Sequence, residues 1–353
     1  MTHYPSGGPF ASRPLIPPVA RRPRPVAVKP RRTSVKMPSL QTVLLVALLM
    51  AVSSVLFTTL RYQRTSDAFG ERMERVTAAA ARILDDVRSR MGETEEIFKQ
   101  DLRGEAVLRM LELPPSALPI EYSRLPRLRS RDAFGREDIP AAATGNALAF
   151  AVSAGSRAVR GPSGKSYRLE AYRIDAFYLT TVGKGPQPGS SVGLDLCRFV
   201  SVPVVDRSQV EAITVPRDRQ RVLRALQQGE GGPAVRHLWH RGGNVTGSLA
   251  VIDATGKKLI PVSTLPADPA ESCWGLFGSE FSVVTNYAHS SYGVGQLGRI
   301  THDRGGFPHG FEIQLGGSAA SRLVRIHLCA ITADRGGVPG SVAQQTTIST
   351  GER

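Results

Sequence analysis

The sequence predicts an α+β protein: a single N-terminal transmembrane helix that continues into an amphipathic helical stalk, followed by a mainly antiparallel β domain. Three observations predict it. From Met37 to Leu60, twenty-four residues pass without a charge. Beyond Arg61, apolar residues recur at helical spacing, with no proline before Pro114. From Gly145 onward, short runs rich in β-branched and aromatic residues alternate with Gly, Pro, Asp and Asn.

The apolar stretch comes first in the argument. As a helix, residues 37–60 reach about 36 Å, enough to cross a hydrocarbon core of about 30 Å. A helix also satisfies its own backbone polar groups, which lipid does not do. Residues 1–36 carry eight Arg or Lys and no acid, and they are rich in proline. That composition builds no core and reads as a disordered, basic tail. The first twenty residues past Leu60 carry four basic and three acidic residues, so the basic side is expected to stay cytoplasmic. The expected location is the bacterial inner membrane, single-pass, with the C-terminal domain periplasmic or extracellular. A cleaved signal peptide is the competing reading of Ala51-Val52-Ser53, but the apolar run continues past it through Val55, Leu56 and Phe57.

Residues 61–113 are expected to form the stalk. Phe69, Met73, Val76, Ala80, Ile83 and Val87 follow one another at spacings of four and three, which places them on one seam of a helix. Charged residues of both signs surround them. The seam must be covered by a sister helix, by a partner or by the chain's own later domain. Gly70, Gly92 and Gly104 are the weak points of this helix.

Pro114, Pro115 and Pro119 end the helical pattern, and 114–144 reads as a linker. The β domain is expected over 145–335, with strand-like runs at 147–153, 167–182, 194–205, 248–262, 281–287, 311–317 and 322–333. Asp253 to Lys257 has the chemistry of a hairpin turn. Pro203 pushes its strand toward a sheet edge. One helix is expected between Pro216, suited to a first turn, and Gly229, suited to a C-terminal cap. Asp303 to Pro308 and Asp334 to Pro339 are two turns of similar chemistry. Residues 336–353 read as a flexible tail.

Charge bounds the partners. The net +15 divides into +8 for residues 1–36, zero for 61–139 and +7 for 140–353. Topology accounts for the densest basic segment, so no nucleic acid is expected. The expected partners are the lipid bilayer and envelope proteins, or a second copy joined through the stalk. Cys197, Cys273 and Cys329 all fall on the side assigned to an oxidising compartment, where one disulfide with one thiol left over is expected. Their spacing fits no zinc pattern.

No catalytic, cofactor-binding or metal-ligating residue is assigned, and no cofactor is expected. His237 and His240 in the run HLWH point to opposite faces of a strand. His289, His302 and His309 are scattered among glycines. Gly293 to Gly298 matches G-x-G-x-x-G, but Gly and Pro follow where a helix should begin. Asn244-Val245-Thr246 matches a glycosylation acceptor, to which a bacterial composition, with Arg favoured over Lys, gives little weight.

This layout of basic leader, apolar-then-amphipathic helix and cysteine-bearing β domain resembles the type IV pilins, most of all the large minor pilins of type IVb and conjugative pili. In that family a leader ending in Gly is removed, the next residue is Phe or Met, and the fifth mature residue is Glu. With Met37 placed first, this chain reads Met37-Pro38-Ser39-Leu40-Gln41. Met37 agrees. Lys36 stands where Gly belongs, and Gln41 stands where Glu belongs. The resemblance covers roughly residues 30 to 112 and implies a structural or interaction protein of the envelope, a pilus or secretion apparatus subunit. A single-pass sensor or ligand-binding module is the alternative, and an envelope hydrolase a third reading.

Overall fold

A computed structural model describes residues 39–97, 105–119, 144–180, 194–240, 249–278, 281–283, 311–317, 321–332 and 340–351. The chain divides into two compact units, Met1–Arg61 and Tyr62–Arg353. The described part of the first is the start of helix α1 (Leu40–Met91), which runs on without a break into the second. Ser39 opens the helix, its carbonyl accepting the N–H groups of Thr42 and Val43 at 2.8 and 3.2 Å. Every residue from Leu40 to Arg61 is exposed. The hydroxyls of Thr58 and Thr59 donate to the carbonyls of Ser54 and Val55, four residues back, so neither needs a partner outside the helix.

The second unit is built from the rest of α1 and, in order, β1 (Thr94–Ile97), α2 (Glu105–Met110), β2 (Thr144–Gly145), β3 (Leu148–Arg160), β4 (Ser166–Thr180), β5 (Asp195–Val200), β6 (Val204–Asp206), α3 (Arg207–Glu211), α4 (Pro216–Gln228), β7 (His237–Trp239), β8 (Leu249–Ile252), β9 (Leu259–Val262), β10 (Phe281–Val283), β11 (Phe311–Gly317), β12 (Ser321–Thr332) and β13 (Gly340–Gly351). One sheet runs β1-β3-β4-β6-β7-β8-β9, with β5 also paired to β4. A second runs β10-β12-β11-β2, with β13 along the other side of β12. All the pairings are antiparallel except β6 with β7. A bridge between Leu194 and Val283 links the two sheets.

The two-residue period of the strands sorts the core. Leu148 and Phe150 of β3, Phe177 and Leu179 of β4, and Leu196 of β5 turn to one face, where they meet Val76, Ala80, Ile83, Val87 and Met91 of α1. Phe311, Ile313, Leu315, Val324, Ile326 and Leu328 of the second sheet complete that cluster. The alternate residues, Ala149, Tyr172, Ile174, Tyr178 and Phe199, build a second cluster with Trp239 and with Val107, Leu108 and Leu111. A third lies under α4, where Val222, Leu223 and Leu226 pack on Val159, Leu169 and Leu238.

Several expectations hold at the level of elements. The strand runs from 147 to 262 become strands, and the hairpin of β8 and β9 turns at Asp253, whose carboxylate accepts from the N–H groups of Thr255 and Lys257. Helix α4 begins with Pro216 in its first turn and is capped by Gly229 at φ 73°.

Others are corrected. The stalk does not continue helical to residue 113: α1 stops at Met91, with Gly92 N–H closing on the Arg88 carbonyl at 3.0 Å, and β1 follows. Nor is 76–91 a free stalk, because its apolar seam is the core of the β unit. Pro203 breaks its run in two instead of marking an edge. β6, after the break, lies between β4 and β7, and Pro203 falls in the gap where no ladder bond is needed. The start of the expected linker is packed, with Ala117 buried and its carbonyl accepting from Tyr178 Oη at 2.6 Å.

Residues 340–351, read as part of a flexible tail, form β13, paired with β12 along its whole length. Polar side chains hid this strand, whose pairing is made by backbone and whose Ile348 is buried. The expectations for the basic tail and leader, the rest of the linker, the sequon at 244–246, His289, His302, His309, the Gly293–Gly298 run and the two Asp-Arg-Gly-Gly turns lie outside the described residues.

One fastening carries a pH signature. Asp218, fully buried in the first turn of α4, accepts from Ser163 N–H at 3.0 Å, from Tyr167 Oη at 2.7 Å and from Ser163 Oγ. It ties the β3–β4 turn to the helix, and these hydrogen bonds hold its carboxyl below the usual range. A lowered folded pKa means stabilisation that is present above the unfolded value near 3.8 and lost as pH falls through the folded value. Melting curves of Asp218→Asn are therefore expected below wild type at pH 6 and to converge on it below pH about 3.8. A constant difference across that range would show that ionisation is not what fastens the turn.

Candidate functional site

Two features of α1 carry the functional question: an apolar stretch that the chain leaves bare, and a charged clasp where the helix ends. Among the described residues, α1 is the one helix long and apolar enough to cross a membrane, and the apolar window is wholly unburied. Leu40 is 77% exposed, Met50 68% and Phe57 68%. Large apolar side chains at such exposure over five turns mark a surface suited to lipid or to another chain.

The seam residues divide. Val76, Ala80, Ile83 and Val87 are buried against the sheets, and Met73 is half-buried against the same cluster. Phe69 remains 40% exposed. Of the three covers open to the seam, the chain's own β domain is the one that occupies it from Met73 onward.

The clasp follows from strand register. On β4 the row that presents Phe177 and Leu179 to α1 continues as Asp175 and Arg173, and on β5 the row of Leu196 continues as Arg198. The α1-facing side is thus apolar at one end and ionic at the other, and α1 matches it with Ile83, Val87, then Asp86 and Arg90. Arg90 Nη1 reaches Asp175 Oδ2 at 2.9 Å, Nε reaches Asp86 Oδ1 at 3.0 Å and Nη2 reaches Glu271 Oε2 at 3.4 Å. Arg198 bonds Asp86 Oδ2 at 2.8 Å and the Glu271 carbonyl. Arg173 bonds Asp268 at 3.2 Å and Glu271 at 3.5 Å.

Three guanidinium groups and four carboxylates therefore hold the last two turns of the helix to β4, β5 and the 268–271 loop. A half-open cavity of about 300 Å³ lies beside them, lined also by Ser89, Glu93, Ser153 and Val200.

Burial pushes the Asp175 carboxyl up, and Arg90 and Arg198 pull it partly back. Burial opposes the charge on Arg90, but attraction to Asp175 and Asp86 prevails and holds it above its ordinary value. A network of this kind adds little net stability, since desolvation offsets attraction, but it fixes register. Sliding α1 by one turn, about 5.4 Å, would set charges against apolar rows. The sequence carries a signal for it that periodicity alone passes over: charges at 173 and 175 in the same register as Phe177 and Leu179.

The expected disulfide is absent: Cys197, Cys273 and Cys329 are all free thiols. The reason is again register. Cys273 pairs with Arg198, exchanging backbone hydrogen bonds of 2.9 Å in both directions, so it shares the face of Arg198, while Cys197, one residue earlier, points to the other. Cys329 belongs to the second sheet, opposite Ala343. Burial pushes the Cys197 thiol up to about 12 and Cys329 to about 11, which keeps both protonated and unreactive.

His237 of β7 is buried, with burial holding its pKa low, and His240, just past the end of that strand, is exposed. Among the described residues no three His, Cys, Asp or Glu side chains converge as metal ligands. No protein-family model, no curated protein and no solved structure matches the chain.

Proposed function

We propose that the chain is a membrane-anchored structural or interaction protein of the bacterial envelope, a pilin-like or secretion-apparatus subunit, with residues 40–60 in lipid and the β-rich unit outside the cytoplasm. The observation that carries this reading is the contrast within α1. From Val76 onward its apolar side chains are buried by the chain's own sheets, whereas from Leu40 to Leu60 none is. A span of that length matches a bilayer, and the hydroxyls of Thr58 and Thr59 near its end are satisfied within the helix.

Orientation rests on the eight basic residues before Met37, which favour the cytoplasmic side. The pilin-like part of the proposal rests on the layout of one helix that begins as an anchor and ends as the spine of a β domain.

The test is a fusion at Arg353 of a reporter that is active only outside the cytoplasm, combined with extraction. The reporter is expected to be active, and the protein to resist alkaline carbonate yet dissolve in detergent. Recovery in the soluble fraction, or a reporter active only in the cytosol, rejects the anchor or its orientation. In the same preparation, intact mass separates two forms: a chain starting at Met37 marks pilin-type processing, and one retaining the basic leader marks a plain anchored protein.

A further inference from the structure

Arg157 stands apart from the other buried charges. It lies on β3, in the same row as Val159 and opposite Leu169, and is 5% exposed. Among the described residues its side chain makes no hydrogen bond and no ion pair. By contrast Asp175, Arg198, Asp206 and Asp218, equally buried, each have a partner. Its Nη1 is sealed from solvent without an acceptor, and burial, with no carboxylate to offset it, lowers its pKa. Glu230, in the turn that covers it, is committed elsewhere through two bonds of 2.7 Å to Arg221. A buried cation with no counter-charge costs several kcal/mol, so the fold leaves a charge deficit here.

The same turn leaves room to meet it. With Nη1 enclosed, the fork of Nε and Nη2 is the edge at which the guanidinium can receive two oxygens. Gly232 lies over the face of the guanidinium beside that edge: a Cβ at this position would fall 3.2 Å from Nε and 3.4 Å from Nη2 and from Cζ, tight enough to push the side chain aside. Without one, the turn packs on the guanidinium plane, and of the three nitrogens only Nη1 is sealed. The turn is shaped by Gly229 and Gly231, both at positive φ, and Gly232 N–H bonds the Gly229 carbonyl at 3.2 Å.

We propose that Arg157 and the Gly229–Gly232 turn form a binding site for a small oxyanion, a carboxylate or phosphate held bidentate by Nε and Nη2. With Arg157 only 5% exposed, its fork is within reach of a small free anion and not of a lipid surface or a folded partner.

The experiment uses the full chain in detergent, with thermal unfolding followed as phosphate or acetate replaces chloride at constant ionic strength. Wild type is expected to gain about 5 °C at a hundredfold excess over Kd, the gain growing with the logarithm of anion concentration. Arg157→Met is expected to keep only the shallow rise, proportional to concentration, that excluded salts give any protein. Gly232→Ala, which retains the charge and whose backbone tolerates a side chain, is expected to weaken binding at least tenfold.

A logarithmic rise with phosphate alone or acetate alone identifies which oxyanion the site takes. A response to neither, or equal responses of wild type and Arg157→Met, overturns the proposal. If Arg157→Met does not fold, a Gly232→Ala response equal to wild type overturns it as well.

Discussion

Val76→Glu combined with Ile83→Glu will unfold the β-rich unit, not merely stop helices from associating. Val76 is fully buried and Ile83 is 8% exposed, both in the cluster formed with the two sheets. Each substitution removes about 1.5–3 kcal/mol of apolar burial and places a carboxylate where no cation waits, at a cost of several kcal/mol more. Together these losses match the 5–15 kcal/mol that holds a whole domain.

The expected readout is loss of the cooperative melting transition and protease sensitivity throughout residues 62–351. Phe69→Glu, at a position 40% exposed on the same seam, is expected to shift stability by no more than about 0.5 kcal/mol. A double variant that melts like wild type would mean that the seam faces a partner after all, and that the helix is not the spine of its own domain.

Leu45→Arg with Leu49→Arg is the second large effect. Both residues lie near the middle of the uncharged run, one turn apart, and are 59% and 58% exposed. An arginine at the centre of a spanning helix costs about 2.5–3.5 kcal/mol to insert. The pair therefore disfavours insertion by about 5–7 kcal/mol, or four to five powers of ten. The variant is expected to leave the carbonate-resistant membrane fraction, whereas Leu45→Ile with Leu49→Ile stays in it. Retention of the double arginine variant in membranes would indicate that another chain, not lipid, covers these side chains.

What was legible beforehand follows from the physics of each signal. The α1 seam was visible because a spacing of four and three repeats over nineteen residues, and α4 because Pro216 and Gly229 punctuate it. The strands from β3 to β12 were visible through their apolar alternation, whereas β1 lay inside the expected helical stalk. β13 was not, because backbone hydrogen bonds need no particular side chain, and a run of Gln, Thr and Ser resembles a tail until a partner strand is seen beside it.

The disulfide was misjudged for a related reason. Composition counts thiols, but bonding requires two Cβ atoms to face one another, and Cys273, bridged to Arg198 from a loop beside β5, lies on the opposite face from Cys197. Of the clasp, Asp86 and Arg90 looked like ordinary solvated charges of a helix. Their partners are distant in the chain: Arg198 is 112 residues from Asp86, and Asp175 and Glu271 are 85 and 181 residues from Arg90.

By itself, then, the order of residues determined what is local: where helices and most strands form, and that one stretch is long and apolar enough to cross a membrane. Only the tertiary structure decided what covers the seam, which charges meet, that no cysteines pair, and that Arg157 is buried without a counter-charge. Those outcomes depend on which faces of distant segments are brought together, and propensity, acting over a few neighbouring residues, carries no information about that.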